Sequence, residues 1–225
     1  MIEIDGATGE SGGQIIRTAM TLSAITKKPV HIFNIRAGRP NPGLQAQHLT
    51  AVKAVRNICR GTLTHAEVGS TELTFEPGEI IGGKYEFNIG TAGAVTLVAQ
   101  TVLPILLFAK KASEVTIIGG THVIKSPGYD YFEKVFLKAI NKMNVIAKSQ
   151  IKKIGFYPKG GGEIVLEVEP STPTAITNWT HEDKNHVEVI IRLAGLDKSI
   201  AVREKKIFVQ NDIEHVHIYE NDSLS

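Results

Sequence analysis

Residues 2–6, IEIDG, and residues 87–91, FNIGT, each read as a short strand entering a glycine-bearing turn, and the same offset of 85 carries Pro42-Gly43 onto Pro127-Gly128. Internal repetition at a fixed period restricts the fold more than any other feature of a chain. The first copy continues with the helix-forming run GGQIIRTAMTLSAIT and the β-branched run PVHIFNIRAG; the second continues with GAVTLVAQTVLPILLFA and SEVTIIGGTH. After each Pro-Gly comes an amphipathic pattern, with Leu44, His48, Ala51, Val52, Val55 and Ile58 in one copy and Phe132, Val135, Phe136, Ala139, Ile140 and Met143 in the other. TELTFEPG and GGGEIVLEVEP close the units as strands. The expectation is an α+β fold of two βαβαββ units, 1–86 and 87–175, with helices on one face of each sheet.

A polar stretch, TPTAITNWTHEDKNH, separates the repeat from a shorter piece, so a boundary is placed near residue 175. Within 176–225, residues 186–195 read as a strand, 199–210 as a helix with a mixed-charge outer face and 214–220 as a strand. This βαβ piece lacks the rest of a third unit. Its uncovered strand edge and apolar surface predict either homo-oligomer formation or a missing C-terminal segment.

With 25 basic and 23 acidic residues, total charge does not announce a nucleic-acid protein. Cys59 is the only cysteine, which excludes an intrachain disulfide and fits a reducing compartment. The N-terminus MIEIDGATGE is acidic where a secretory signal would be basic and then apolar, so a cytoplasmic location is expected. The uncharged run from Phe87 to Ala109 approaches the length of a membrane span, yet Asn88, Thr91, Thr96, Gln100, Thr101 and Pro104 mark it as a buried core helix. No membrane association is expected.

Charge position is more informative than the total. No Asp or Glu lies between Ser11 and Ala66, while Arg17, Lys27, Lys28, Arg36, Arg39, Lys53, Arg56 and Arg60 all fall there. In IRAGRPNPGLQAQHL (35–49), Asn41 reads as an N-cap and Pro42 as an early helical residue, which places Arg36 and Arg39 beside the positive end of a helix. Guanidinium forks there suit phosphate oxygens; the alternative is that the arginines lie along the surface and pair with distant acids. Arg17, on the preceding helix, approaches the same turn if the two helices lie side by side. Gln47 and His48 are polar groups one turn in. GATGESGGQ (6–14) matches neither the P-loop nor the dinucleotide pattern; its Glu10 reads either as a solvated acid or as a carboxylate holding a divalent cation against a phosphate. Gln100, taken as buried, serves either the fold or a ligand. GGTHVIKSPGYDY (119–131) sets His122, Pro127, Tyr129 and Asp130 where a purine or ribose fits. The histidine spacings in HEDKNH (181–186) and HVH (215–217) do not make a metal site.

Taken together, MIEIDGATGESGGQIIRTA, IRAGRPNPGLQAQHLTAVKA, IGTAGAVTLVAQTVLPILLFA, GGTHVIKSPGYDY and GFYPKGGGEI resemble the RNA 3′-terminal phosphate cyclase family over about residues 1–170. SIAVREKK is similar to the start of that family's inserted small domain. The resemblance implies an ATP-dependent enzyme that converts an RNA 3′-phosphate to a 2′,3′-cyclic phosphate through enzyme-AMP and RNA-adenylate intermediates. By motif, Arg17, Arg36, Arg39 and Gln47 would face the RNA phosphate, Gln100, Pro127 and Asp130 the nucleotide, and Glu10 a metal, Mg²⁺ or Mn²⁺. The partners implied are ATP and RNA with a 3′-phosphate end. The family's nucleophilic histidine lies in an H-x-x-D-Q motif that does not occur in these 225 residues, so no catalytic histidine is assigned and a missing C-terminal segment is expected. The alternative is a non-catalytic, cyclase-like RNA-binding or ribosome-assembly protein.

Overall fold

A computed structural model describes residues 1–177 and 187–221. Strands β1 (Ile2–Asp5), β2 (Val30–Phe33), β3 (Thr62–Thr64) and β4 (Leu73–Glu76) form one sheet in the order β1-β2-β4-β3. Strands β5 (Lys84–Asn88), β6 (Ser113–Gly119), β7 (Ile146–Lys153) and β8 (Gly162–Glu169) form a second in the order β5-β6-β8-β7. In each sheet the first two strands are parallel and the others antiparallel. A parallel pair needs a crossover, and helices α1 (Gly13–Thr26) and α3 (Val95–Leu106) supply the two crossovers. The α+β repeat is therefore observed.

Strand burial follows the pleat. In β6 every second residue from Ser113 to Gly119 is buried, as in Gly162–Val168 of β8, so one face of the sheet carries the core. The other face bears exposed pairs such as Lys84–Glu114 and Lys148–Glu167, both 3.1 Å. Helices α1, α2 (Ala46–Ile58) and α3 pack on one another as well as on their sheets, and their apolar residues join one core spanning both units.

Two details depart from the sequence pattern. By backbone pairing Ile2 sits opposite Val30 and Tyr85 opposite Val115, so the first strands of the units correspond at an offset of 83 while the second strands keep 85. The shift is even, so the strand keeps the same alternate side chains on the core face, and the connecting segments take up the two residues. The second helix of the second unit is also not continuous. An α turn, α4 (Tyr129–Tyr131), leads into a π-helical segment Phe132–Leu137 and then α5 (Lys138–Asn141). The wider π turn brings Phe132 and Leu137, five apart, to the buried side and leaves Val135 49% exposed, against the three-and-four spacing read from sequence.

The run from Phe87 to Ala109 divides into the end of β5, a turn and the 12-residue α3 containing Pro104. No described helix is long and apolar enough to cross a membrane. Cys59 is buried, and burial pushes its thiol up.

Strands β9 (Val189–Ala194) and β10 (Val216–Asn221) pair in parallel around α6 (Lys198–Val209), capped by the Asp197 carboxylate accepting from Ser199 N–H at 2.8 Å. Ile191, Leu193, Ala201 and Val216 make a core separate from that of the repeat. So small a core stabilises little alone. The unit is held to the repeat by Arg192, whose Nε and Nη2 donate to Asp130 at 2.7 and 2.6 Å while its guanidinium lies 4.8 Å from the Tyr219 ring centre. Lys134–Glu188, at 2.7 Å, adds a second tie. Arg192→Ala is expected to cost about 2–3 kcal/mol of docking. Amide exchange in β9, α6 and β10 then accelerates at least about tenfold while β6 and β8 keep their protection; unchanged exchange in the small unit would show that the clamp does not hold it.

Candidate anion and nucleotide site

Ligands of open α/β sheets gather beyond the carboxyl ends of the parallel strands. Here those ends deliver the loops after Asp5 and Phe33 and the turns after Asn88 and Gly119 to one side of the molecule. The loop from Gly6 to Gly12 lies against the turn that follows β2, because Arg39 Nε donates to Ser11 O at 3.5 Å and Gly38 lies directly over the Ser11 hydroxyl.

That turn is built around Arg36. Its Nη1 donates to Asn41 O at 2.6 Å and Gly43 O at 2.8 Å, and Gly43 N–H returns to Ile35 O at 2.8 Å. Gly43 has φ +74° and a Cβ there would strike the backbone of Gly69, so only glycine closes the turn. The helix does not begin at Pro42 with Asn41 as its cap. It begins at Ala46 with Gln45 as N-cap, because positive φ at Gly43 takes the chain out of helical geometry. His48 then accepts at Nδ1 from Gln45 N–H, 3.2 Å away.

The first turn of α2 lies between the starts of two other helices. His48 covers Gly13, where any side chain would meet the imidazole. Gln47 Oε1 accepts from Ala94 N–H, the N-cap of α3, at 2.7 Å. Neither Gly12 nor Ala94 has a side chain that can cap. Three positive helix ends therefore converge, and Arg17, Arg36 and Arg39 surround them.

Their charges are poorly compensated. Arg39 meets Glu10 at 3.4 Å, a carboxylate 93% exposed. Arg36 spends its Nη1 donors on carbonyl oxygens, and burial, then the neighbouring Arg39, lower its guanidinium below the ordinary value. Arg17 is half-buried with no hydrogen bond or ion pair among the described residues, and burial lowers it likewise. Burial first, then the fields of Arg36 and Arg17, press His48 down to about 4, so it is neutral at pH 7. Arg17 and Arg36 thus act on the same imidazole.

On the second unit, the buried Thr96 donates to Pro127 O at 2.8 Å and fixes the 127–130 turn on α3. Asp130 accepts from Arg192 and contacts His122 Nε2 at 2.9 Å. Although burial opposes ionisation, the Arg192 and His122 hydrogen bonds hold the Asp130 carboxyl well below the usual carboxylate range. Tyr129 is buried, its phenol pushed up to about 12 chiefly by burial, and cannot line a ligand site as expected from sequence.

Gln100 is half-buried rather than enclosed, and it has no hydrogen-bond partner among the described residues. The reason is helical phase: Leu97, Gln100 and Pro104 form the open stripe of α3, whereas the buried polar residues are Thr96 and Thr101. Pro104 has no N–H for the Gln100 carbonyl, so side chain and backbone both leave acceptors on that stripe.

No three potential metal ligands gather among the described residues. Glu10 would have to hold a cation with ligand phosphates and water, an arrangement suited to Mg²⁺. His181 and His186 lie outside the described residues. A concavity of about 720 Å³ at the opposite end of the second sheet is lined by Lys84, Glu114, Lys148 and Glu167, whose charges satisfy one another. Arg192 was missed in the sequence because its role depends on a fold-level contact 62 positions from Asp130.

The sequence profile of the RNA 3′-terminal phosphate cyclase family matches residues 8–217. Curated proteins described as "RNA 3′-terminal phosphate cyclase" are similar to this chain. That of Sulfolobus acidocaldarius is 55% identical over 206 residues, covering 91% of this chain and 61% of the relative. That of Sulfurisphaera tokodaii is 46% identical over 207 residues, covering 92% and 60%. That of Archaeoglobus fulgidus is 50% identical over 171 residues, covering 76% and 52%. The chain thus spans between 52% and 61% of the length of these relatives.

Proton linkage at His48 gives a test of this geometry. Its folded value, about 4, lies below the unfolded value of about 6.5, so the unfolded chain binds the extra proton between them. Stability therefore falls as pH drops from about 6.5 towards about 4 and flattens below, by about 1–3 kcal/mol after allowance for partial exposure. Urea unfolding at pH 7 and pH 4.5 measures the loss, and His48→Gln is expected to shrink it. The Asp130 contribution is lost only at lower pH, below the ordinary carboxylate value of about 3.9, and does not enter this window.

Proposed function

Because the chain belongs to the RNA 3′-terminal phosphate cyclase family, we propose that the three helix starts and their arginines hold the 3′-phosphate of an RNA, which the whole protein cyclises with ATP. Half-buried Arg17 carries the reading: it stands among other cations with no acid paired to it among the described residues, an arrangement that is costly until an anion arrives. Arg17 and the free donors of Arg39 contact the phosphate oxygens, and Arg36 holds the turn. Gln47, its oxygen engaged by Ala94, offers its amide NH₂.

In this proposal ATP adenylylates the enzyme with release of pyrophosphate, and the terminal phosphate of the RNA then takes AMP as the enzyme–AMP bond breaks. The ribose 2′-hydroxyl oxygen then attacks the RNA phosphorus, the bond to AMP breaks, and the hydroxyl proton leaves to solvent or a base. Positive charge around the phosphate lowers the repulsion met by the incoming oxygen. Gln100, with its open acceptors, and the 127–130 turn recognise the nucleotide; for Asp130 to contact a ribose, His122 or Arg192 must release one of its oxygens. Glu10, released from its long contact with Arg39, would hold Mg²⁺, which would supply positive charge for the phosphates of ATP. Each chemical role extends to the protein at its family length.

The test compares two RNAs differing only at the 3′ end. Arg17→Gln is expected to lower affinity for the 3′-phosphorylated RNA at least about tenfold and to leave 3′-hydroxyl RNA nearly unchanged. Equal losses would assign Arg17 to general backbone attraction. In protein of full family length, ATP and Mg²⁺ should make a labelled 3′-phosphate resistant to phosphatase; a label that stays sensitive rejects cyclisation.

A further inference from the structure

A groove of about 690 Å³ lies between the outer face of α2 and the loop that leads from β3 towards β4. Lys53, Arg56 and Asn57 line it from the helix, and His65, Glu67 and Ser70 from the loop. Backbone bonds make it continuous with the arginine turn: Leu44 N–H donates to Ser70 O at 2.9 Å, and Gly69 N–H to Leu44 O at 2.7 Å. At 1.5 Å per helical residue, Lys53 and Arg56 lie roughly 10 and 15 Å along α2 from its start at Ala46.

The charge of this groove is not accounted for by the fold. Some surface lysines elsewhere have an acid close by, as in Lys84–Glu114, Lys148–Glu167, Lys134–Glu188 and Lys198–Glu220. Lys53 has no hydrogen bond or ion pair among the described residues, and Arg56 donates only to its neighbour Asn57, at 2.9 Å. The two cations are three apart on one helix face, where like charges repel. Glu67 is the acid of the lining, and it pairs with neither of them. His65 is the one ring among the described lining residues and no Phe, Tyr or Trp accompanies it, so the groove lacks a row of aromatic faces on which successive bases stack. What remains is a channel for a polyanionic backbone that ends at the arginine turn.

We propose that this groove holds the single-stranded RNA immediately preceding the 3′-phosphate, with Lys53 and Arg56 on backbone phosphates and no reading of base identity. The inference rests on the arginine turn as the 3′-phosphate site. Glu67, facing the same strand, weakens binding and limits the residence of long RNA.

The test uses a dinucleotide and a ten-nucleotide RNA, each with a 3′-phosphate, and a ten-nucleotide RNA with a 3′-hydroxyl. The double variant K53Q/R56Q, both residues exposed, is expected to bind the 3′-phosphorylated decamer about tenfold more weakly. Losing two phosphate contacts should flatten the slope of log affinity against log salt by about 1.4. Dinucleotide affinity and the preference for a 3′-phosphate should not change, and Glu67→Gln should tighten decamer binding two- to threefold. Unchanged decamer affinity, or an equal loss for dinucleotide and decamer, overturns the groove. Failure of the 3′-phosphate reading appears separately, as absence of 3′-end preference in the unsubstituted protein. Unfolding temperatures matching that of the parent keep folding out of the comparison.

Discussion

The hydrogen bond from Ala94 N–H to Gln47 Oε1 joins the second helix of one unit to the first helix of the next, and the candidate site depends on it. It satisfies a helix-start amide for which α3 has no residue of its own. It also sets the rotation of α2, and through it the imidazole of His48 over Gly13 and the turn held by Arg36. Gly93 lies close against the Gln47 side chain, with space for no larger residue without displacement. A duplicated fold thus acquires a composite site where its copies meet.

Holding so much positive charge together has a cost, and the surrounding structure shows how it is contained. The Asn41 and Gly43 carbonyl oxygens take the Arg36 donors, Glu10 offers distant compensation to Arg39, and His48 stays neutral. Arg17 receives nothing comparable. The core across both units fixes the helices before any ligand arrives, so an anion meets donors already in position.

The second unit answers with opposite chemistry. At the offset of 85 Thr121 and Ile124 stand where the first unit has Arg36 and Arg39, and Asp130 stands where it has Gln45; that carboxylate is occupied by His122 and by Arg192 of the small unit. The same bonds that hold Asp130 ionised dock β9, α6 and β10 on the repeat. In the proposed function, a nucleotide that engages Asp130 would compete with the contact that docks the small unit.

Much of this was determined by the residues in order. The internal repeat specified two βαβαββ units, since alternating and three-to-four spacings of apolar residues dictate strands and helices locally. The acid-free segment from Ser11 to Ala66 marked the place of the proposed anion site, and the motifs carried the family resemblance. Tertiary structure decided what depends on distance through space. Glycine at φ +74° moved the helix start to Ala46, the π turn exchanged Val135 for Leu137 at the core, and helical phase opened Gln100. Arg192 found Asp130, and Gln47 found Ala94, across separations that no local pattern encodes. Periodicity reports which face of an element is apolar, but the partners of a polar group are chosen only when packing brings distant elements together.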